Sequence, residues 1–117
     1  MRGVGRVRQA AAVGLLARAY ARLLGARHEQ HGDLHVCWGL PRWAFPRGGV
    51  TFGDTYLTGS APVARSARRL RHERVHVEQW RRHGCLFALL YVLAGRRAQR
   101  NRFEVEAGLT DGGYSPH

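Results

Sequence analysis

Two histidines four residues apart, His72 and His76, constrain this chain more than any other feature of its sequence. On an α-helix, positions i and i+4 share one face about one turn apart. Both imidazoles can therefore reach one point, as two ligands of a single Zn²⁺ must. Glu73 follows the first histidine, so its carboxylate can reach a water molecule at the metal rather than the metal itself, and can act as a general base. The His-Glu-x-x-His pattern thus predicts a helix that carries a zinc site.

The ends of this predicted helix are marked in the sequence. Ser60 or Ser66 can cap its start. We expect the helix to run through Arg82 and to stop at Gly84. The competing interpretation is an exposed, charged helix with two solvated histidines, because so short a pattern also arises by chance. A third ligand elsewhere in the chain is needed to decide between the two.

Two glutamates, Glu104 and Glu106, are the candidates for that third ligand. A catalytic zinc usually takes three protein ligands, and no other glutamate follows Glu78. Both candidates lie past one apolar helix, and two helices joined by a helical crossover can face each other. Because positions two apart on a helix point about 200° away from each other, only one of the two can coordinate the ion.

The zinc helix and the later glutamates together resemble a known family. Residues 71–80 (Arg-His-Glu-Arg-Val-His-Val-Glu-Gln-Trp) and 101–107 (Asn-Arg-Phe-Glu-Val-Glu-Ala), separated by an apolar helix, are similar to small bacterial gluzincin-type domains. These are His-Glu-x-x-His metallopeptidase-like proteins whose later helix reads Asn-Pro-Phe-Glu-x-Glu-Ala. The resemblance covers roughly residues 50–107.

The resemblance implies a role for each matching residue. His72 and His76 correspond to the zinc ligands, and Glu73 corresponds to the general base. Related zinc peptidases place the third ligand three residues before an alanine, here Ala107, so the resemblance implies Glu104 in that role.

Four residues depart from the family pattern. Arg71 and Arg74 lie where uncharged residues are usual, and we expect both to extend away from the metal. Arg102 replaces the proline. Gly108 stands where an aspartate is often found, which predicts the loss of a hydrogen bond to a zinc histidine.

Hydrophobic patterns predict the fold class α+β, mostly helical with a small antiparallel strand element before the zinc helix. The resemblance implies that this is a minimal zincin-like domain. Residues 26–49 contain Pro41 and Pro46, which predict mainly irregular structure. The other predicted elements are a helix over 6–24, a strand within 34–40, one or two strands within 50–58 around a turn or bulge at Gly53-Asp54, an apolar helix over 86–97 and a helix over 101–107. We divide the chain into an N-terminal amphipathic helix (1–25), a metal-binding domain (26–107) and a flexible tail (108–117).

The chain is strongly basic, with a formal net charge of +11 and no lysine among its 19 positive residues. Such a charge predicts attraction to anionic lipid surfaces or nucleic acid at low salt. No nucleic-acid-binding motif is present, so we expect no specific nucleic-acid site. Four apolar residues of the first helix could pack on the core or on a membrane surface: Val13, Leu16, Leu23 and Leu24.

The apolar run Cys85–Gly95 is too short to span a bilayer and predicts a buried core helix. Cys37 and Cys85 lie far apart and outside any Cys-x-x-Cys pattern, which predicts two reduced, buried thiols in a cytoplasmic protein.

Several further residues have side chains suited to a site. An alternating set could form a second metal site or simply a polar strand face: His31, Asp33, His35 and Cys37. His83 could support the zinc site or be solvated. Peptide hydrolysis also needs a donor for the oxyanion, for which Tyr56, Tyr91 and Tyr114 are candidates.

The function predicted from these residues is zinc-dependent hydrolysis of peptide bonds in a peptide or protein substrate. The alternative is a non-catalytic zinc-stabilised module that binds an anionic partner or a membrane surface through its arginines. The sequence does not indicate an oligomeric state.

Overall fold

A computed structural model of the chain describes residues 2–45, 48–94 and 101–108. It has the predicted α+β class, with four helices and a four-stranded sheet among these residues. The elements are α1 (Arg2–Leu23), β1 (Arg27–His31), β2 (Leu34–Trp38), β3 (Val50–Phe52), β4 (Thr55–Leu57), α2 (Ala67–His83), α3 (Leu86–Ala94) and α4 (Arg102–Ala107). Short 3₁₀ turns lie at Arg42–Ala44 and Pro62–Arg65.

The sheet is mixed and has the strand order β1-β2-β4-β3. The hairpin β3–β4 is antiparallel as predicted. The hairpin β1–β2, which was not predicted, is also antiparallel, and the central pair β2–β4 is parallel. Both hairpins turn through a Gly-Asp pair, with Gly32 at φ 61° and Gly53 at φ 63°, a conformation that glycine adopts without steric cost. The strand predicted within 34–40 is confirmed as β2, whereas the prediction of irregular structure is wrong for residues 27–31, which form β1.

Side chains alternate between the two faces of the sheet, and on the central strands β2 and β4 both faces are largely buried because a helix packs on each of them. Cys37 and Leu57 face α1 and pack against Ala17 and Ala21. The opposite face packs on α2 through Leu34, Val36, Tyr56, Leu70 and Val77. The sheet thus fixes the position of α2, the helix with the His-Glu-x-x-His pattern.

Helix α1 packs through its small residues rather than through its leucines. Its buried positions are Ala10, Gly14, Ala17 and Ala21. Val13 and Leu24 are partly buried against the core, as predicted, whereas Leu16 is 72% and Leu23 87% exposed. The helix lies so close to the β3–β4 turn that larger side chains do not fit between them.

The contact between α1 and Gly53 yields a stability prediction. A Cβ at this glycine would lie 2.0 Å from the carbonyl oxygen of Ala10 and 2.7 Å from the amide nitrogen of Gly14. We expect Gly53→Ala to lower the free energy of unfolding by about 3 kcal/mol or more, through overpacking added to the positive φ. The matched control is Gly32→Ala, which has the same Gly-Asp turn and φ but no neighbouring atom within 4 Å.

For Gly32→Ala the conformational cost alone remains, about 1 kcal/mol. Urea denaturation measures both variants. Equal losses would show that the close approach of α1 contributes nothing.

Helix α3 differs from the buried core helix predicted for the apolar run. Phe87 is buried, and Leu90, Tyr91 and Ala94 are partly buried against the core. Its outer face is exposed at Leu86, Leu89, Val92 and Leu93. Of the two cysteines, both free thiols, Cys37 is buried as predicted and Cys85 is exposed. None of the described helices is both long and apolar enough to cross a lipid bilayer.

Candidate metal centre

Helix α2 begins and ends at residues that the sequence marks for these roles. The Ser66 hydroxyl caps its start by accepting from the Arg69 amide, and Gly84 ends it with φ 61°. Toward the sheet the helix buries Leu70 and Val77. Its next face buries a mixed polar and aromatic set instead: His72, Glu73, His76, Gln79 and Trp80.

Helix α4 is held opposite this face by Asn101, the residue that caps its start. The Asn101 side chain accepts from the Phe103 amide and donates to the carbonyl oxygen of Tyr91 on α3. Phe103 packs between α2 and α3, with its ring 5.0 Å from that of Phe87. This docking directs Glu104 at the two histidines of α2.

The side chains of His72, His76 and Glu104 meet at one buried point. Glu104 Oε1 lies 3.1 Å from His72 Nε2 and 2.6 Å from His76 Nε2, and the two Nε2 atoms are 3.1 Å apart. Ligand atoms about 2.0–2.1 Å from a tetrahedral zinc are separated by about 3.3 Å, close to these distances. The three residues could hold a metal ion, and we call them the triad.

The hydrogen bond of His72 fixes which ring nitrogen faces the triad. Its Nδ1 lies 2.7 Å from the Gly108 carbonyl oxygen, which can only accept, so Nδ1 carries the proton. Nε2 therefore presents a lone pair in the neutral ring. The absence of an aspartate at position 108 thus leaves His72 with a backbone partner in its place.

Gln79 fixes the ring nitrogen with which His76 faces the triad, a role that no pattern in the sequence indicated. Its amide nitrogen donates to the carbonyl oxygen of Phe103, at 2.9 Å, and to Glu106 Oε1, at 2.7 Å. Both partners are acceptors, so the amide oxygen is the atom that faces His76 Nδ1, at 2.7 Å. His76 must then donate from Nδ1 and present a lone pair at Nε2. Glu106, the alternative third ligand, thus lies outside the triad and orients Gln79.

With both rings neutral, three lone-pair atoms converge with no hydrogen between them. Burial alone would lower the pKa of His76, but the Glu104 carboxylate beside it raises that pKa above its usual value. Burial would likewise raise the pKa of Glu104, but the neighbouring His72 and His76 rings and the Tyr91 hydroxyl hold that pKa well below its usual range. The triad therefore attracts a cation, and a proton and a metal ion compete for its nitrogens.

The role of Gln79 can be tested through metal affinity. We expect Gln79→Met, which removes the acceptor for His76 Nδ1, to weaken Zn²⁺ binding about 10- to 100-fold. Competition with a chromogenic zinc chelator measures the change. The control is Glu78→Met on the exposed side of the same helix. An unchanged affinity of Gln79→Met would contradict the role of this hydrogen bond.

Glu73 lies beside the triad and not within it. Its Oε1 is 3.9 Å from His72 Nε2 and accepts from Arg69 Nε at 3.2 Å. Its Oε2 accepts from the Thr51 hydroxyl of β3 at 2.6 Å. Trp80 Nε1 also donates to the Thr51 carbonyl oxygen, at 2.9 Å. Strand β3 and one turn of α2 thus fix the carboxylate, which the sequence pattern alone did not indicate.

A cavity of about 370 Å³ opens over the triad, within the size range of small-molecule sites. Besides the triad and Glu73, most of its lining is apolar: Val50, Phe52, Trp80, Phe87, Ala88 and Val92.

Of the three tyrosines predicted as oxyanion donors, one lies in this cavity. The Tyr91 hydroxyl donates to Glu104 Oε2 at 2.5 Å. Tyr56 is fully buried and donates to the Ala64 carbonyl oxygen. Tyr114 is outside the described residues.

The remaining predicted residues lie apart from the triad. Arg71 and Arg74 are exposed, as predicted. His83 does not line the cavity and stacks on Phe87 at a ring distance of 6.3 Å.

The second metal site is not formed, because residues 32–33 make the β1–β2 turn. The turn interrupts the strand alternation that the prediction assumed, and His31 and His35 lie on different strands. In the described part of the chain, the triad is the only group of three or more ligand-type side chains placed to hold a metal ion.

Comparisons of the chain with protein-family models, with curated proteins and with solved structures give no match. The resemblance to gluzincin-type domains therefore depends on the residues quoted above, and the structure adds to it a buried group that could bind a metal ion.

Proposed function

We propose that this protein is a zinc-dependent, metallopeptidase-like hydrolase. The observation that carries the proposal is the convergence of three lone-pair atoms in a buried place, where only a cation relieves their mutual repulsion. Glu73 lies beside the triad, where it can act as a general base, and this position supports metallopeptidase chemistry.

Zinc is the metal that best fits the donor set. Two imidazole nitrogens and one carboxylate oxygen, open to a cavity on the remaining side, make a donor set typical of catalytic zinc. Magnesium and calcium prefer sites built from oxygen atoms alone. The second oxygen of Glu104 accepts from Tyr91, so the carboxylate offers one oxygen to an ion.

Glu73 and Tyr91, which line the cavity beside the two histidines, each have a task in peptide hydrolysis. When bound, zinc supplies Lewis acidity toward the scissile carbonyl and the attacking water. Glu73 accepts the proton of that water and returns it to the leaving amine. The Tyr91 hydroxyl is placed to donate to the developing oxyanion if it turns away from Glu104.

Strand β3 is the element best placed to align a peptide. It lies at one edge of the sheet, with a single strand neighbour among the described residues, and Val50, Thr51 and Phe52 line the cavity. An extended peptide could add to this edge by backbone pairing. Its side chains would then meet the apolar cavity wall.

Metal analysis combined with a peptide-library digest tests the proposal. Purified protein is loaded with Zn²⁺, and its metal content and cleavage products are compared with those of protein stripped by a chelator. We expect one zinc per chain and cleavage by the loaded protein only. Stoichiometric zinc without cleavage of any peptide would refute the hydrolase and leave the metal site standing.

The second candidate is a non-catalytic zinc-stabilised module that binds an anionic partner through its arginines. It is favoured by the engagement of both Glu73 oxygens, one with Arg69 and one with Thr51, since such contacts also suit a structural carboxylate. A catalytic Glu73 is required for turnover, whereas a structural one affects only stability.

A further inference from the structure

The outer face of α3 is an exposed apolar surface on a helix that packs only through its other side. Leu86, Leu89 and Leu93 follow at i, i+3 and i+7, and Val92 lies beside them, so the four side chains form one stripe. Their exposed fractions run from 51% to 73%. Large apolar side chains are left in water here although the inner face of the same helix is packed. We call this stripe the α3 surface.

The charged residues that flank α3 in the sequence are all basic. No acidic residue lies between Glu78 and Glu104, whereas six arginines do: Arg81, Arg82, Arg96, Arg97, Arg100 and Arg102. Arg82, at the end of α2, has a side chain that is 58% exposed and lies 3.6 Å from Glu106 Oε2, and Arg81 pairs with Asp33 and Glu78. An apolar stripe with arginine-rich stretches on both sides of it in the sequence is typical of segments that lie in the interface of an anionic bilayer.

A second copy of the chain fits this surface less well than a bilayer does. In a symmetric dimer the same patch meets itself, so the basic stretches of two chains, each with a net charge of +11, would be brought together. Like charges across an interface cost several kcal/mol. An anionic bilayer supplies both the opposite charge and the apolar medium.

We propose that the α3 surface inserts into the headgroup region of an anionic lipid bilayer, whose charge is opposite to the formal net charge of +11 on the chain. This surface differs from that of α1, whose leucines were predicted from the sequence to pack on the core or on a membrane surface. Val92 belongs to the α3 surface and also lines the cavity over the triad, so a bound bilayer lies next to the mouth of that cavity. The proposal does not depend on the hydrolase activity.

Co-sedimentation of the full chain with vesicles tests the proposal. We expect binding to vesicles of phosphatidylcholine with phosphatidylglycerol and little binding to phosphatidylcholine alone. The double variant Leu89→Gln/Leu93→Gln should weaken the partition coefficient at least about tenfold, because two large side chains no longer enter the apolar medium. These substitutions keep the net charge, and both positions are exposed.

Two control variants locate the effect. Leu15→Gln/Leu16→Gln changes two exposed leucines of α1, and Val63→Gln changes a valine as exposed as Val92. We expect both to bind vesicles like the wild type. Unchanged binding of the α3 variant, or a larger loss for the α1 variant, overturns the proposal.

A second measurement avoids substitutions in α3. Cys85, directly before the helix, is exposed, whereas burial raises the pKa of the Cys37 thiol and suppresses its reaction. An environment-sensitive fluorophore on Cys85 should shift to the blue on adding anionic vesicles but not on adding neutral ones. The absence of a shift contradicts insertion. A wild-type dimer in sedimentation velocity that Leu89→Gln/Leu93→Gln converts to monomer also overturns the proposal, because a second copy is then the occupant.

Discussion

Glu73→Gln is expected to lower the rate of peptide hydrolysis by about 10²- to 10⁴-fold, the usual contribution of a general base, and to leave one zinc per chain. Glutamine keeps the size of the side chain and can still accept from Arg69 through its amide oxygen. Its amide nitrogen would then face the Thr51 hydroxyl, which can accept. The variant therefore preserves the two contacts of the carboxylate and removes only its ability to take a proton.

The control for this experiment is Glu78→Gln, which makes the same chemical change on the exposed side of α2. Rate constants for a peptide found in the digest, and zinc content by mass spectrometry, are measured for both variants. A Glu73→Gln protein that cleaves at the wild-type rate shows that another group takes the proton. A variant that loses zinc shows instead that Glu73 supports the metal site.

Alanine at any triad position is expected to abolish stoichiometric zinc binding. Among the described residues, His72, His76 and Glu104 are the three whose side chains are placed to hold a metal ion, and two remaining ligands would bind zinc far more weakly. In the wild type, zinc at one hundred times its Kd adds about 2.7 kcal/mol to the free energy of unfolding. For a chain of this size that corresponds to a rise in Tm of about 10 °C or more, which the variants should lack.

The control substitution is His83→Ala, a half-buried histidine of the same helix that lies outside the cavity. It should keep one zinc per chain and the zinc-dependent rise in Tm. Glu104→Gln complements Glu104→Ala, because it keeps the volume of the buried side chain. Stoichiometric zinc in all three alanine variants would show that the triad does not hold the zinc ion.

The sequence predicted the two histidines of the triad because they follow a simple rule of helix geometry. Their spacing requires only one regular helix, and a second helix that faces the first narrows the third ligand to Glu104 or Glu106. The resemblance to gluzincin-type domains alone favoured Glu104. The partners of these ligands follow no such rule. Gly108 contributes a backbone carbonyl, which every residue has, and Gln79 is recognised only once α4 places Phe103 and Glu106 beside it.

The fold was predicted in class but not in all of its parts. The Gly-Asp pair at position 53 indicated a turn, and the same pair at position 32 is an equal signal for the hairpin that the prediction missed. The orientation of α1 could not be predicted from its leucines, because close packing against the Gly53 turn selects small residues. The exposed side of α3 was not predictable either, since an apolar run does not indicate which of its faces lacks a neighbour.

Helix α4 has six residues, fewer than an isolated helix needs to be stable in water. Its residues and the glycine after it supply one triad atom, the acceptor for His72 Nδ1 and both acceptors that orient Gln79. We therefore expect folding of this short segment and binding of a metal ion to be one cooperative event, in which each process lowers the free energy of the other. The amide protons of α4 should thus exchange with solvent at a rate set by the free zinc concentration, while those of the central strands β2 and β4 do not.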